Sequence, residues 1–222
     1  SQVPLYVNDP VAVTAEGTPV RIVRNAETNL GDLCADAYRA LSNADIAFVN
    51  GGGIRKQIEA GDITLDDIYS VHPFGNTMCV IRVTGQQVLD ALEWGARAVP
   101  SENGGFLQVS GLTYEIHTGV ASSAEKDENG MFTRVSGEYR VKNVMVGGQP
   151  LELDKTYTLA SHNYMLLGHG DGYTMFDGCE VLGEDMMVDN QVLITYITTT
   201  LGGVVGEQYA NPYGDGRIVA VE

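Results

Sequence analysis

A chain of 222 residues that is 44% hydrophobic and 19% charged has enough apolar material for a packed core, and its length fits one domain rather than several. A formal net charge of −16, with only 13 Lys and Arg residues, disfavours nucleic acid and anionic membranes as partners. No run approaches the ~20 apolar residues of a membrane-spanning helix. The N-terminus has neither an initiating Met nor a basic region followed by an apolar run, so no signal peptide is expected and the chain reads as a segment of something longer.

Residues 1–23, rich in Val and Pro, are expected to be extended, as an edge strand or an interdomain lead-in. Thr28 opens a helix whose apolar face (Leu30, Leu33, Cys34, Ala37) runs to about Leu41. The apolar run Ile46 to Val49 predicts a buried strand that stops at Asn50-Gly51-Gly52-Gly53. Thr64 with Asp67 three residues on has the form of a helix N-cap, for a short helix to Ser70. Thr77 to Val83 is rich in strand formers. Gln86 to Val99 carries Val88, Leu89, Leu92 and Ala96 at helical spacing and is ended by Pro100. Strands are predicted over Leu112 to His117, Arg140 to Val146 and Thr156 to Ser161, with Gly147-Gly148 as a hairpin turn. Residues 119–138 are polar and predict an exposed hairpin loop. A helix from Asp189 to about Leu201 and a strand from Gly216 to Val221 close the chain. Helices and strands mix without a regular βαβ repeat or internal repeat, so the expected fold class is α+β, a single domain with a mixed sheet and packed helices.

Three stretches carry candidate chemistry. In FVNGGGIR (Phe48 to Arg55) a strand runs into three glycines, whose successive N–H groups can form an anion-binding nest beside the Arg55 guanidinium. The residues alone leave two readings open, a phosphate site or a tight structural turn, and exclude a Walker A loop or a dinucleotide fingerprint. In HPFGNT (His72 to Thr77) Phe74 sits on a Pro/Gly loop, either as a binding platform or as a core plug. In NYMLLGHGDGYTMF (Asn163 to Phe176) glycines surround His169 and Asp171; one His and one Asp do not make a metal site, and an Asp in such a turn commonly forms an Asx-turn. Cys34, Cys79 and Cys179, odd in number and far apart, read as ordinary thiols. EKDENG (Glu125 to Gly130) lacks the twelfth-position Glu of a Ca²⁺ loop. Ser161 and His162 are neighbours on a strand and point to opposite faces, so they do not read as a nucleophile and its base.

Taken in order, ETNLGDLCADA (Glu27 to Ala37), NGGGIR (Asn50 to Arg55), PFGNT (Pro73 to Thr77), GGFLQVSGL (Gly104 to Leu112) and GHGDGYTMF (Gly168 to Phe176), with the closing GRIVAV, resemble the C-terminal, substrate-binding domain of the 5′-nucleotidase family, which includes UDP-sugar hydrolases and 2′,3′-cyclic phosphodiesterases. The resemblance covers residues 21–222, leaving residues 1–20 as the lead-in. It implies a nucleobase held between Phe74 and Tyr164 and ribose hydroxyls met by Asp171. Phosphate would be contacted by Asn50 and Arg55 with an upstream arginine, Arg24 or alternatively Arg21. Gly53 and Gly104 would give backbone close to the ligand. Tyr164 stands where the family often has Phe, a change expected to alter little, and His169 where it has a small residue.

The resemblance further implies that hydrolysis uses two divalent metal ions held by an N-terminal metallophosphatase domain in cis. That domain's D-x-H and G-N-H-[ED] signatures do not occur in this sequence, nor does a G-x-S-x-G elbow. The implied picture is therefore a chain without catalytic residues or cofactor of its own, binding a nucleotide or nucleoside for a secreted, surface or periplasmic hydrolase. Two alternatives remain: a non-catalytic nucleoside-binding module, or a parent enzyme acting on cyclic nucleotides or UDP-sugars.

Overall fold

A five-stranded mixed sheet divides the molecule, and its alternating side chains feed two separate cores. The computed structural model describes residues 1–222. In chain order its elements are α1 (Asn29–Ser42), β1 (Ile46–Asn50), α2 (Leu65–Val71), β2 (Met78–Thr84), α3 (Gly85–Ala96), β3 (Leu107–Ser110), β4 (Leu112–His117), β5 (Ala124–Lys126), β6 (Phe132–Val135), β7 (Val141–Val146), β8 (Gln149–Pro150), β9 (Thr156–His162), α4 (Asn163–Leu166), β10 (Glu180–Gly183), α5 (Asp189–Thr195) and β11 (Ile218–Val221). The central sheet has the order β10-β2-β9-β1-β3, with β1 and β9 parallel and the remaining pairs antiparallel. A second sheet, β11-β4-β7-β8, forms a further layer.

On one face of the central sheet Ala47, Val49, Met78, Val80 and Ala160 meet α1, α2 and α5. Ala47 and Ala160 are register partners, both fully buried. Their small size lets α1 lie close, and a larger side chain at either would overpack that interface at a cost of ~1–3 kcal/mol. On the other face Ile46, Phe48, Cys79, Ile81, Leu107, Val109 and Leu159 pack with α3 and with Leu112, Tyr114 and Ile116 of the second sheet. All five residues of β1 are buried, as expected of a strand covered on both sides.

Capping fixes the helix starts. Thr28 accepts from the Gly31 N–H at 3.0 Å, and Thr64/Asp67 and Thr84/Gln87 are reciprocal capping boxes. α3 ends at Ala96 rather than running to Val99. Beyond it the carbonyls of Ala96 and Val99 are taken by Arg140 Nη1 at 3.2 and 2.9 Å, and the Arg97 guanidinium folds back over Trp94, 3.6 Å from the ring centroid. Arg140 thus satisfies carbonyls left over at the helix end, sharing that of Ala96 with the Val99 N–H. The last helix continues from α5 through a π-helical turn, Tyr196–Thr200, and so reaches nearly the expected length.

The N-terminal segment forms no edge strand. Val3, Leu5 and Val7 are buried in the α1 core, tied by a single bridge between Leu5 and Ile58. The expected loop at 119–138 contains the short β5–β6 hairpin, seated by Phe132, which meets Trp94 edge-on at 5.7 Å. β3 and β10 were not anticipated. β3 is a fully buried strand whose polar members, Gln108 and Ser110, break the apolar pattern.

Candidate functional site

Where β1 ends, the chain turns through Gly51–Gly53, and other atoms approach all three closely. A Cβ on Gly51 would lie 2.1 Å from the Val23 carbonyl oxygen, one on Gly52 3.0 Å from that of Gly104, and one on Gly53 2.7 Å from Asn50 Oδ1. At Gly51, packed against backbone, glycine is required for this close approach, while at Gly52 and Gly53 a side chain would crowd its neighbours; none of the three has a left-handed backbone. The turn is pinned by Gly51 N–H to Phe106 O and Gly52 N–H to Gly104 O, both 2.7 Å. Against it lies the turn Ile22–Arg24, held by buried Gln108. Gln108 Nε2 donates to the Val23 and Ala26 carbonyls at 3.1 and 2.7 Å, and its Oε1 accepts from the Thr28 N–H at 3.1 Å.

A cavity of about 360 Å³ opens at this junction, within the size range of small-molecule sites. Its walls include Arg24, Asn50, Gly53, Arg55, Phe74, Gly104, Tyr164 and Asp171, so all eight sequence-derived candidates come together. Gly52 and Asn76 also line it. Both lie inside blocks already singled out, NGGGIR and PFGNT, but neither carries a charge or ring that would have marked it. Phe74 is 60% exposed and Tyr164 44%, so neither plugs a core; both present ring surface to the opening.

One end of the cavity is basic. Arg55 is exposed, donates to the Gly52 carbonyl at 3.1 Å, and stands 5.7 Å from the Phe74 ring centroid. Arg24 lines the wall, with its buried Nε unpartnered. Arg21 is not in the lining. Its Nη2 donates to the carbonyls of Ile54 and Arg55 at 2.9 and 3.2 Å, which steadies the loop carrying Arg55. Burial, then the charges of Arg24 and Arg55, hold the Arg21 guanidinium below its ordinary pKa. None of these three arginines forms an ion pair, nor do Arg39, Arg97 and Arg140, whereas Arg82, Arg134 and Arg217 all do. In a protein of net charge −16 this is a local cluster of positive charge, with Glu102 the acidic group whose charge acts on Arg21.

The other end is a hydrogen-bonded chain. The Asp171 carboxylate accepts from Asn50 Nδ2 at 2.6 Å through Oδ2 and from the Tyr164 hydroxyl at 3.2 Å through Oδ1. The hydroxyl that distinguishes Tyr164 from Phe is thus in use. Burial and the Asp171 charge raise its pKa, which keeps it a donor. Asp171 has a left-handed backbone (φ 55°), and Trp94 Nε1 donates to its carbonyl at 2.9 Å. Behind Asn50, His162 Nε2 lies 2.9 Å from Asn50 Oδ1; behind Gly53, His72 Nδ1 lies 3.2 Å from the Gly53 carbonyl. Burial pushes His162 down to about 3 and His72 to about 4, so both are neutral near pH 7. His169 lies outside the cavity, paired with Asp177. Ser161 donates to the Phe48 carbonyl at 2.6 Å and makes no bond to His162.

Metal-binding geometry does not arise in this cavity, where Asp171 is the only carboxylate and no His is present. Glu27, Asp32 and Asp215 bring ligand oxygens within 4.8 Å of one another elsewhere. There the Arg217 guanidinium bonds Asp215 at 2.9 Å and stands 3.6 Å from Asp32, in the place a cation would need. Those residues do not fit a two-metal centre.

The sequence matches the family described as "5'-nucleotidase, C-terminal domain" over residues 10–178. It is 36% identical over 203 residues to the trifunctional nucleotide phosphoesterase protein YfkN of Bacillus subtilis, covering 90% of this chain and 13% of that protein. To a 5′-nucleotidase of Vibrio cholerae it is 34% identical over 176 residues, 79% of this chain and 28% of that protein. The fold superposes on the crystal structure of a 5′-nucleotidase precursor from Thermus thermophilus with a TM-score of 0.77 and 31% identity, covering 99% of this chain and 38% of that one. The chain therefore spans only a minor part of the length of these relatives.

Proposed function

This chain belongs to the 5′-nucleotidase C-terminal domain family, and we propose that it is the nucleotide-capturing domain of a phosphoester hydrolase. The supporting observation is that two exposed rings, one carboxylate and two unpaired guanidinium groups converge on one cavity. A base stacks on Phe74 and Tyr164, an interaction tolerant of base identity. Asp171 accepts from the ribose hydroxyls. Arg55 and Arg24 neutralise the phosphate, joined by the second amide hydrogen of Asn50, while Gly53 and Gly104 let the ligand approach the backbone.

Phosphoester hydrolysis belongs to the parent protein. Two divalent metal ions in an N-terminal domain would supply a metal-activated water there, and the residues described here bind and orient only. The isolated chain is accordingly expected to be inactive, and the parent to work outside the cytoplasm. No helix is long and apolar enough to cross a membrane.

Titration calorimetry of the chain with adenosine and AMP tests the binding reading. Both bind, AMP the more tightly, and Arg55→Ala weakens AMP by about tenfold, the value of a charge-assisted hydrogen bond, with little effect on adenosine. Equal losses for the two ligands would remove Arg55 from phosphate recognition, and the absence of any binding would remove the nucleotide reading altogether.

A further inference from the structure

His162 does not line the cavity, yet the orientation of a cavity wall depends on it. It is the last residue of β9, 3% exposed, and its neighbours are the edge of Tyr38 at 6.3 Å and the tilted ring of Tyr164 at 5.9 Å. Its polar contact is the 2.9 Å approach of Nε2 to Asn50 Oδ1.

Chemistry sets the direction of each hydrogen bond in the chain behind Asp171. A carboxylate only accepts, so the Asn50 amide must turn its NH₂ toward Asp171 Oδ2, 2.6 Å away. Its carbonyl oxygen then faces the imidazole, and the imidazole must carry its proton on Nε2. Nδ1 is buried without a partner, consistent with a bare lone pair on that side. A carboxylate offers about four acceptor positions; Asn50 occupies one on Oδ2 and Tyr164 one on Oδ1. Each oxygen keeps one position, and two adjacent hydroxyls on a sugar present two matching donors. Without the imidazole proton, the buried amide oxygen of Asn50 loses its donor. The bond to Asp171 alone would then fix the amide, and the carboxylate it orients would be held less firmly.

We infer that His162 is a positioning residue which, through the Asn50 amide, orients Asp171 for two vicinal hydroxyls, and so sets the preference of the cavity for ribose over sugars lacking them. The inference rests on the nucleoside reading of the cavity. Sequence inspection gives no hint of it, because His162 belongs to none of the motifs whose residues line the cavity.

The test compares wild type, His162→Leu and His162→Gln, titrated calorimetrically with adenosine and 2′,3′-dideoxyadenosine. Wild type is expected to prefer adenosine by about tenfold, the contribution of hydrogen bonds to a charged group. His162→Leu loses that preference while binding dideoxyadenosine as wild type does, which also shows that its cavity is folded. His162→Gln, which carries an N–H donor, recovers most of the preference. Nitrogen-edited NMR of the wild-type ring places the proton on Nε2, with or without ligand. A preference unchanged in His162→Leu, an equal loss of affinity for both nucleosides, or a ring protonated on Nδ1 overturns the inference. If wild type binds neither nucleoside, the nucleoside reading fails and the ribose preference with it. The NMR result then still decides separately whether His162 orients Asn50.

Discussion

Tyr164 presses against Gly170 so closely that a Cβ built there would stand 2.3 Å from the ring's Cε1 and 2.4 Å from Cδ1 and Cζ. The ring is seated on a bare stretch of backbone one residue before Asp171, the residue its hydroxyl bonds. Gly170→Ala must therefore displace the ring. Overpacking of this kind costs ~1–3 kcal/mol, and here Tyr164, half-exposed, can relieve it by moving. Adenosine affinity is expected to fall about tenfold while the melting temperature changes by only a few degrees. An unchanged calorimetric affinity would mean that the ring does not touch the base.

Tyr164→Phe keeps the stacking surface and removes one donor to Asp171. The expected loss in adenosine binding is ~0.5–1.5 kcal/mol, the net value of one hydrogen bond, whereas Tyr164→Ala and Phe74→Ala each lose ~1–3 kcal/mol. Because Phe74 is 60% exposed, its truncation should leave the urea midpoint almost unmoved, which separates binding from folding.

The unpaired arginines predict a salt effect. AMP affinity should fall as ionic strength rises from 0.05 to ~0.5 M, as expected for partly exposed charges, while adenosine affinity stays constant. Arg24→Ala should remove part of that dependence by deleting a charge at the wall. Arg21→Ala should act more weakly, by loosening the Arg55 carbonyl it holds. Calorimetry at three salt concentrations distinguishes the two.

Asp32 predicts a pH effect on stability. It is 2% exposed, and burial raises its carboxyl from 3.8 to about 9, opposed by the charge of Arg217 and assisted by Glu27. An acid whose folded pKa lies above its unfolded value favours the fold while both states are protonated. That contribution is lost as pH climbs from about 4 to about 9. Above pH 7 the shifted buried groups His72, His162 and Asp189 (raised to about 6 by burial) no longer distinguish folded from unfolded, whereas the thiols of Cys34 and Cys79, raised by burial, begin to do so near pH 9, equally in wild type and in a variant at Asp32. Asp32 should therefore account for a loss of ~2 kcal/mol of unfolding free energy in the wild type between pH 7 and 9, on top of the loss due to the thiols. Asp32→Asn, neutral throughout at that position, should lose only the smaller share due to the thiols. Urea denaturation at the two pH values reads the difference, and parallel losses would show that Asp32 is ionised in the fold.

Which features were legible from the sequence follows from range. Elements declared by local chemistry were placed within a residue or two: α1 by Thr28 and its apolar stripe, α2 by Thr64 and Asp67, and β1 by its apolar run. The end of α3 was misplaced by three residues: past Ala96 the N–H groups of Arg97 and Val99 bond carbonyls three residues back, and Arg140, more than 40 residues away, meets the Ala96 and Val99 carbonyls at that end. β3 was missed because its Gln108 is a buried clamp on the Ile22–Arg24 turn, a role invisible until both segments are in place. In the cavity, the residues that stack, accept or carry charge could be named from the motifs. Those acting through a neighbour could not: Arg21 steadies the Arg55 loop and His162 bonds Asn50, and neither pattern says so.

The cavity walls are drawn from six separate stretches, at Arg24, Asn50 to Arg55, Phe74 to Asn76, Gly104, Tyr164 and Asp171. Occupancy would act like a removable rivet, fastening all six at once and rewarding only the fully assembled state by mass action. Amide exchange should consequently slow across all six stretches together when the site fills, and no peptide excised from any one of them should inherit its affinity.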